Sequence, residues 1–226
     1  MIVEIGYYGL SLFMIGLFPV ILRKADTDLL IIKRLTRIYF IWIISWLIYV
    51  TILSVSGILI TLDLPPRMPL LIVLPALISI YFYTRMTDFK NILTHLHLSI
   101  PVLVQSFRIF VELLIFGTFT IGILPQRVTF EGINFDILVG ITAIIIAYFI
   151  YKRKLTKPVV IVWNILSLCI LSVTVFAFIS SFYFLDLVDT QQLEQFLSMP
   201  FILLPAVLLP FAIFYHLLSI KQNLQP

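Results

Sequence analysis

Seven long apolar stretches, separated by polar links, restrict this chain more than any other feature of its sequence. They cover 2–22, 38–62, 69–84, 101–124, 135–151, 158–185 and 200–220. A helix needs about 20 apolar residues to cross a ~30 Å hydrocarbon core, and most of the seven reach that length. The stretches 69–84 and 135–151 are shorter. Hydrophobic residues make up 62% of the 226 and charged residues 12%, with a mean hydropathy of +1.14. A soluble domain needs more polar surface than this. Lipid offers the backbone no hydrogen-bond partner, so each crossing segment must be helical. The expected fold is all-α: a polytopic membrane protein with seven transmembrane helices in a single transmembrane domain over 1–226.

Charge sets the expected orientation. Arg23, Lys24, Lys33, Arg34 and Arg37 lie between the first two segments, and Arg85 and Lys90 between the third and fourth. Lys152, Arg153, Lys154 and Lys157 lie between the fifth and sixth, and Lys221 follows the seventh. Alternating sides over seven spans puts twelve Lys and Arg on one side and only Arg67 and Arg127 on the other. By the positive-inside rule the N-terminus is outside and the C-terminus cytoplasmic. The same rule accounts for the net charge of +4 without a nucleic-acid partner; the expected partner is the lipid bilayer. The first segment has no basic residue before it and no small-residue cleavage site, so it is expected to stay as a membrane helix. Cys169 has no cysteine partner in the chain and is expected to pack as a small hydrophobe.

Two links carry secondary structure of their own. Phe89, Ile92, Leu93 and Leu96 repeat at helical spacing behind Thr87 and Asp88, which predicts a short amphipathic helix on the inner surface. The acidic link 186–198 predicts a short outer helix or cap. Segments one to three and five to seven would share an orientation about the fourth, but their sequences match poorly.

Polar groups inside the apolar segments mark where chemistry could occur. Gln105, Arg108 and Glu112 are spaced three and four residues apart, so they stack on one helix face. A charge such as Arg108 at that depth costs roughly 2.5–3.5 kcal/mol on insertion scales and needs compensation. At ~1.5 Å per residue, Arg108, Asn164 and His216 fall in the inner half, with Glu112 near the midplane. If segments four, six and seven are neighbours, these side chains line one polar cavity. The structural alternative is a closed network in which Arg108 pairs with Glu112 and Asn164 bonds a neighbouring helix. A second cluster, Thr129, Glu131, Asn134 and Asp136, surrounds Gly132 just before segment five. Asn134 or Asp136 could cap that helix, or the cluster could form an outer gate. Pro205 and Pro210 inside the last segment free backbone carbonyls one turn back.

The run Q-x-x-R-x-x-V-E (Gln105, Arg108, Val111, Glu112) is followed by T-F-E-G-x-N-F-D-I-L-x-G from Thr129 to Gly140. Then come Trp163-Asn164 and a Pro-rich last helix ending in His216 to Ser219. This second half resembles an uncharacterised family of small bacterial seven-helix integral membrane proteins. The resemblance implies a bacterial inner-membrane location and no particular activity.

Several function classes are disfavoured. The last segment has no internal Lys for a retinal Schiff base. No G-x-S-x-G or H-E-x-x-H occurs, and the three His are scattered, so neither a metal nor another cofactor is expected. The leading expectation is a transporter, channel or sensor that binds a small polar or anionic ligand through Gln105, Arg108, Glu112, Asn164 and His216. In that reading Thr129, Glu131, Asn134 and Asp136 form the outer gate. The alternatives are an intramembrane lipid-modifying enzyme, with Arg108 on a phosphate and Glu112 or His216 as acid or base, and a membrane-embedded assembly partner.

Overall fold

The structure is a computed structural model. It describes residues 1–25 and 28–225, with Asn91 described by its backbone alone. Every regular element among the described residues is helical. Among these residues five helices are long and apolar enough to cross a membrane: α1 (Ile2–Arg23), α2 (Leu29–Val55), α5 (Ser99–Thr120), α7 (Lys157–Tyr183) and α9 (Leu204–Asn223). A bent pair, α3 (Pro69–Arg85) and α4 (Thr87–His95), makes a sixth if it is read as one span. Helix α6 (Asp136–Tyr151) is apolar but shorter, and α8 (Thr190–Leu197) is a short connecting helix.

The bundle inverts the usual soluble pattern. Ile41, Ile44, Ile48 and Ile52 of α2 and Val162, Ile165 and Leu166 of α7 are exposed, whereas Arg108, Glu112, Asn134, Asn164 and His216 are buried. That inversion suits a lipid surround, where apolar side chains face outward and polar ones must find protein partners.

The links expected on the cytoplasmic side gather at one end of the bundle. Arg34 pairs with Asp88 at 3.2 Å, Gln222 donates to the carbonyls of Leu93 and Leu96, and Lys157 donates to the carbonyl of Gln225. The ring of His97 lies 5.8 Å from that of Tyr151. At the other end Ser54 bonds the carbonyl of Leu197 and Gln192 that of Gly122.

Both expected link helices are present. Helix α4 buries Phe89, Ile92 and Leu93, although no side chain caps its start. Helix α8 opens on a capping box in which the Asp189 carboxylate accepts from the Gln192 amide, two donors satisfied reciprocally. Helix α2 differs from expectation. It begins at Leu29 rather than 38 and ends at Val55 rather than 62. Asp28 caps it by accepting from the Leu30 amide at 2.9 Å. Lys33, Arg34 and Arg37 therefore ride on its first turns, and Gly57, at φ +72°, follows its end. Hydropathy averages miss such a shift because long basic side chains are tolerated where a helix emerges from lipid. Cys169, expected to pack inside, is exposed on α7.

Helix α9 shows what its prolines do. A single widened turn occupies Leu204–Leu208. Pro210 has no N–H to give the carbonyl of Ala206, and the indole N–H of Trp46 takes that carbonyl at 2.9 Å.

Candidate functional site: a buried polar network at the start of helix α6

The site is built where the link 121–135 folds back into the bundle. Gln126–Val128 forms one tight 3-10 turn. The chain then closes on itself through Gly132 N–H to the Thr129 carbonyl and Ile133 N–H to the Arg127 carbonyl. A Cβ on Gly132 would lie 2.4 Å from the Arg127 carbonyl oxygen, so only glycine fits there. Non-helical backbone inside an apolar bundle is tolerated when its polar groups are met by protein, as here. Asn134 finishes the link: its Oδ1 accepts from the Asp136 amide at 3.0 Å and its Nδ2 donates to the Val128 carbonyl at 3.0 Å.

Helix α6 therefore starts deep, beside Arg108 of α5. Gly140 permits the approach. A Cβ there would sit 2.7 Å from Ile109 Cγ1 and 2.8 Å from the Ile109 amide nitrogen. Asp136 is one turn before Gly140 on the same face, and its carboxylate grips Arg108. Arg108 Nε donates to Oδ2 at 2.5 Å, and Nη2 pairs with Oδ1. This is the two-pronged geometry that suits guanidinium to carboxylate.

Arg108 thus pairs with Asp136, not with Glu112 as the closed-network expectation had it. Its third nitrogen, Nη1, contacts His216 Nε2 at 2.9 Å. Guanidinium can only donate, so Nε2 must accept, and the ring proton belongs on Nδ1. The next contact agrees: His216 Nδ1 lies 2.8 Å from Asn164 Oδ1. Asn164 is oriented by its other end, because Nδ2 donates to the Val160 carbonyl at 2.8 Å and to the Ser219 hydroxyl at 2.9 Å. His216 is held as the neutral Nδ1–H tautomer.

Glu112 sits on the other side of Asn134, whose Nδ2 donates to Oε2 at 2.7 Å. Glu112 Oε1 is buried without a hydrogen-bond partner. Gln105 lies outside the chain of contacts; its amide nitrogen donates to the Ala212 carbonyl at 2.9 Å, and its oxygen is likewise buried and unpartnered. A 3-10 turn over Gln105–Phe107 interrupts α5 directly before Arg108. Such mid-helix turns often mark hinges or functional sites.

The two clusters read separately from the sequence merge in part. Asn134 and Asp136, expected at an outer gate, belong to the same network as Arg108, Glu112, Asn164 and His216. Thr129 is buried under the loop, where its hydroxyl donates to the Gln126 carbonyl. Glu131 is exposed and accepts from the Gln126 amide at 3.1 Å. Two members were missed: Thr174, which donates to Asn134 Oδ1 at 2.7 Å, and Ser219. Thr174 follows Asn164, Ser167 and Leu171 at helical spacing, and all four are buried. That stripe was the available signal.

A cavity of about 100 Å³ adjoins the network, touching Arg108, Glu112, Asp136 and Thr174. It extends between α5, α7 and α9 toward Pro69, Phe196 and Leu204. Pro69 and Phe196 belong to the end of the bundle away from the basic links, and Arg108 and Glu112 line the other part of the cavity. The rest of its wall is mostly apolar, with Val111, Ile115 and Leu171 among the lining residues. Among the described residues no three His, Cys, Asp or Glu side chains gather for a metal ion. No known family model, no curated protein and no solved structure matches this chain.

Proposed function

We propose that this chain is a seven-pass protein of a bacterial inner membrane, with its N-terminus outside and C-terminus cytoplasmic, working as a transporter or sensor of a small polar ligand. The topology rests on the twelve-to-two distribution of basic residues and on the gathering of the basic links at one end of the bundle. In this topology α6 is a partial span completed by the folded-back link 121–135.

The ligand reading rests on one observation. The buried network exceeds what a single ion pair needs, and it leaves Glu112 Oε1 unpartnered beside a cavity that holds no more than a small molecule. Native interiors rarely leave a carboxylate oxygen so placed without a role. Arg108 is committed to Asp136 and His216, so its fork is not open to an anion. The ligand better matched to Glu112 is neutral or cationic and brings a hydrogen-bond donor. The anionic version requires Asp136 to release Arg108 first.

The test is thermal unfolding of the purified full chain against sugars, amides, amines and carboxylates. A solute at 100-fold over its Kd should add about 2.7 kcal/mol of stability. The shift should vanish in Val111→Phe, which fills the cavity. If no solute moves the wild type more than Val111→Phe, the cavity is a packing gap and the ligand reading fails.

A further inference from the structure

Two carboxylates are buried in this network, and they are treated differently. Asp136 has both oxygens against Arg108, Oδ2 accepting a hydrogen bond from Nε and Oδ1 in an ion pair with Nη2. Glu112 has one oxygen matched to Asn134, and the other has no hydrogen-bond partner. Glu112 is fully buried and lines the cavity.

We infer that Glu112 is a proton-binding site within the membrane, carrying an exchangeable proton on Oε1 while Oε2 stays on Asn134. The inference rests on the reading of this cavity as a working site and names the proton as one of its ligands.

Charge accounting carries it. Arg108 and Asp136 cancel, and His216 is neutral by its contacts. An ionised Glu112 would leave one uncompensated negative charge in an apolar bundle, with a single hydrogen bond to hold it. A proton removes that charge and disturbs no contact. The titratable groups around Glu112 are Arg108 on its own helix, Asp136 on α6, His216 on α9 and Tyr7 on α1. The hydroxyl of Tyr7 bonds Thr118 at 3.0 Å. None of them offers a second donor to Glu112 Oε1.

A metal cation suits the place less well. Hard cations take about six oxygen ligands. Here the Thr174 hydroxyl is committed to Asn134 and the Asp136 carboxylate to Arg108, which leaves Glu112 too few free oxygens beside it. The cavity of about 100 Å³ beside Glu112 is the space through which the proton would exchange. Loss of the proton has a structural consequence. Glu112 is one turn from Arg108 on the same face. As a carboxylate it competes with Asp136 for the guanidinium, so the proton decides which carboxylate holds Arg108.

Infrared spectroscopy of the full chain in lipid vesicles tests this directly. Protonated carboxyls and carboxylates absorb in separate bands, and exposed acids are ionised at neutral pH. The wild type should show a protonated-carboxyl band at neutral pH that shifts in deuterium oxide and bleaches as the pH is raised. Glu112→Gln keeps the acceptor for Asn134 and should lose the band entirely; Glu194→Gln, at an exposed position of α8, should retain it. A missing band, a band surviving in Glu112→Gln, or one that never bleaches with alkali overturns the inference. Bleaching by sodium chloride at fixed pH, unmatched by choline chloride at the same ionic strength, replaces the proton with a sodium ion. A proton band without any stabilising solute leaves the proton site standing and removes the polar ligand. A stabilising solute without the band does the reverse.

Discussion

Arg108 shows how far residue-level reasoning reaches. Its depth and its spacing from Gln105 and Glu112 are legible in the sequence, and all three are buried. Its partner was not legible. Glu112 is four residues away on the same helix, whereas Asp136 is 28 residues away and arrives only because the intervening link folds inward. Sequence spacing ranks the nearer carboxylate first; packing selects the other. The distinction has a measurable consequence. Asp136→Asn strands the Arg108 charge, and breaking a buried pair costs about 3–5 kcal/mol. Thermal unfolding should record that loss, while Glu194→Gln should stay within about 0.5 kcal/mol of wild type. His216 gives a second residue-scale expectation. Nitrogen NMR of labelled histidine should find one neutral ring with its proton on Nδ1. A proton on Nε2 would break the contact with Arg108 and contradict the arrangement.

At the scale of elements, helix existence was readable and helix register was not. The periodic apolar pattern located α4, and the acidic link located α8, because amphipathic spacing and capping chemistry are local. The start of α2 was misplaced by nine residues because Lys33, Arg34 and Arg37 read as link by hydropathy, while the signal that decides is the Asp28 cap. The depth of α6 was hidden for a different reason: a short apolar helix can be a complete span or half of one, and only its neighbours decide. Gly140 makes the close α5–α6 approach possible, so Gly140→Leu should push the helices apart and weaken the Asp136–Arg108 contact. Overpacking of this kind costs about 1–3 kcal/mol. Gly9→Leu, at a position with open space around the Cβ, is the matched control; equal losses in the two variants would remove the role assigned to Gly140.

For the whole molecule, the all-helical apolar architecture followed from composition, because lipid leaves a chain of this hydropathy no other way to satisfy its backbone. The proposed sidedness rests on loop charge. What could not be read was that one link folds back into the bundle, supplies Asn134 and brings Asp136 to Arg108, since the residues of an irregular loop carry no periodicity. The topology makes its own prediction. With Cys169 changed to Ala, a cysteine at Asp189 should label with a membrane-impermeant reagent from outside intact cells, and one at Lys154 only after permeabilisation. The reverse pattern would invert the orientation.

The most direct measurement compares two double-mutant cycles by unfolding free energy, one pairing Arg108→Leu with Asp136→Leu and the other pairing Arg108→Leu with Glu112→Leu. Contacting pairs couple by about 0.5–3 kcal/mol, and pairs without shared contacts add to within about 0.5 kcal/mol. The expected result is coupling near the top of that range for Arg108 with Asp136 and clearly less for Arg108 with Glu112. Stronger coupling to Glu112, or additivity in both cycles, would contradict a site organised around the Arg108–Asp136 pair.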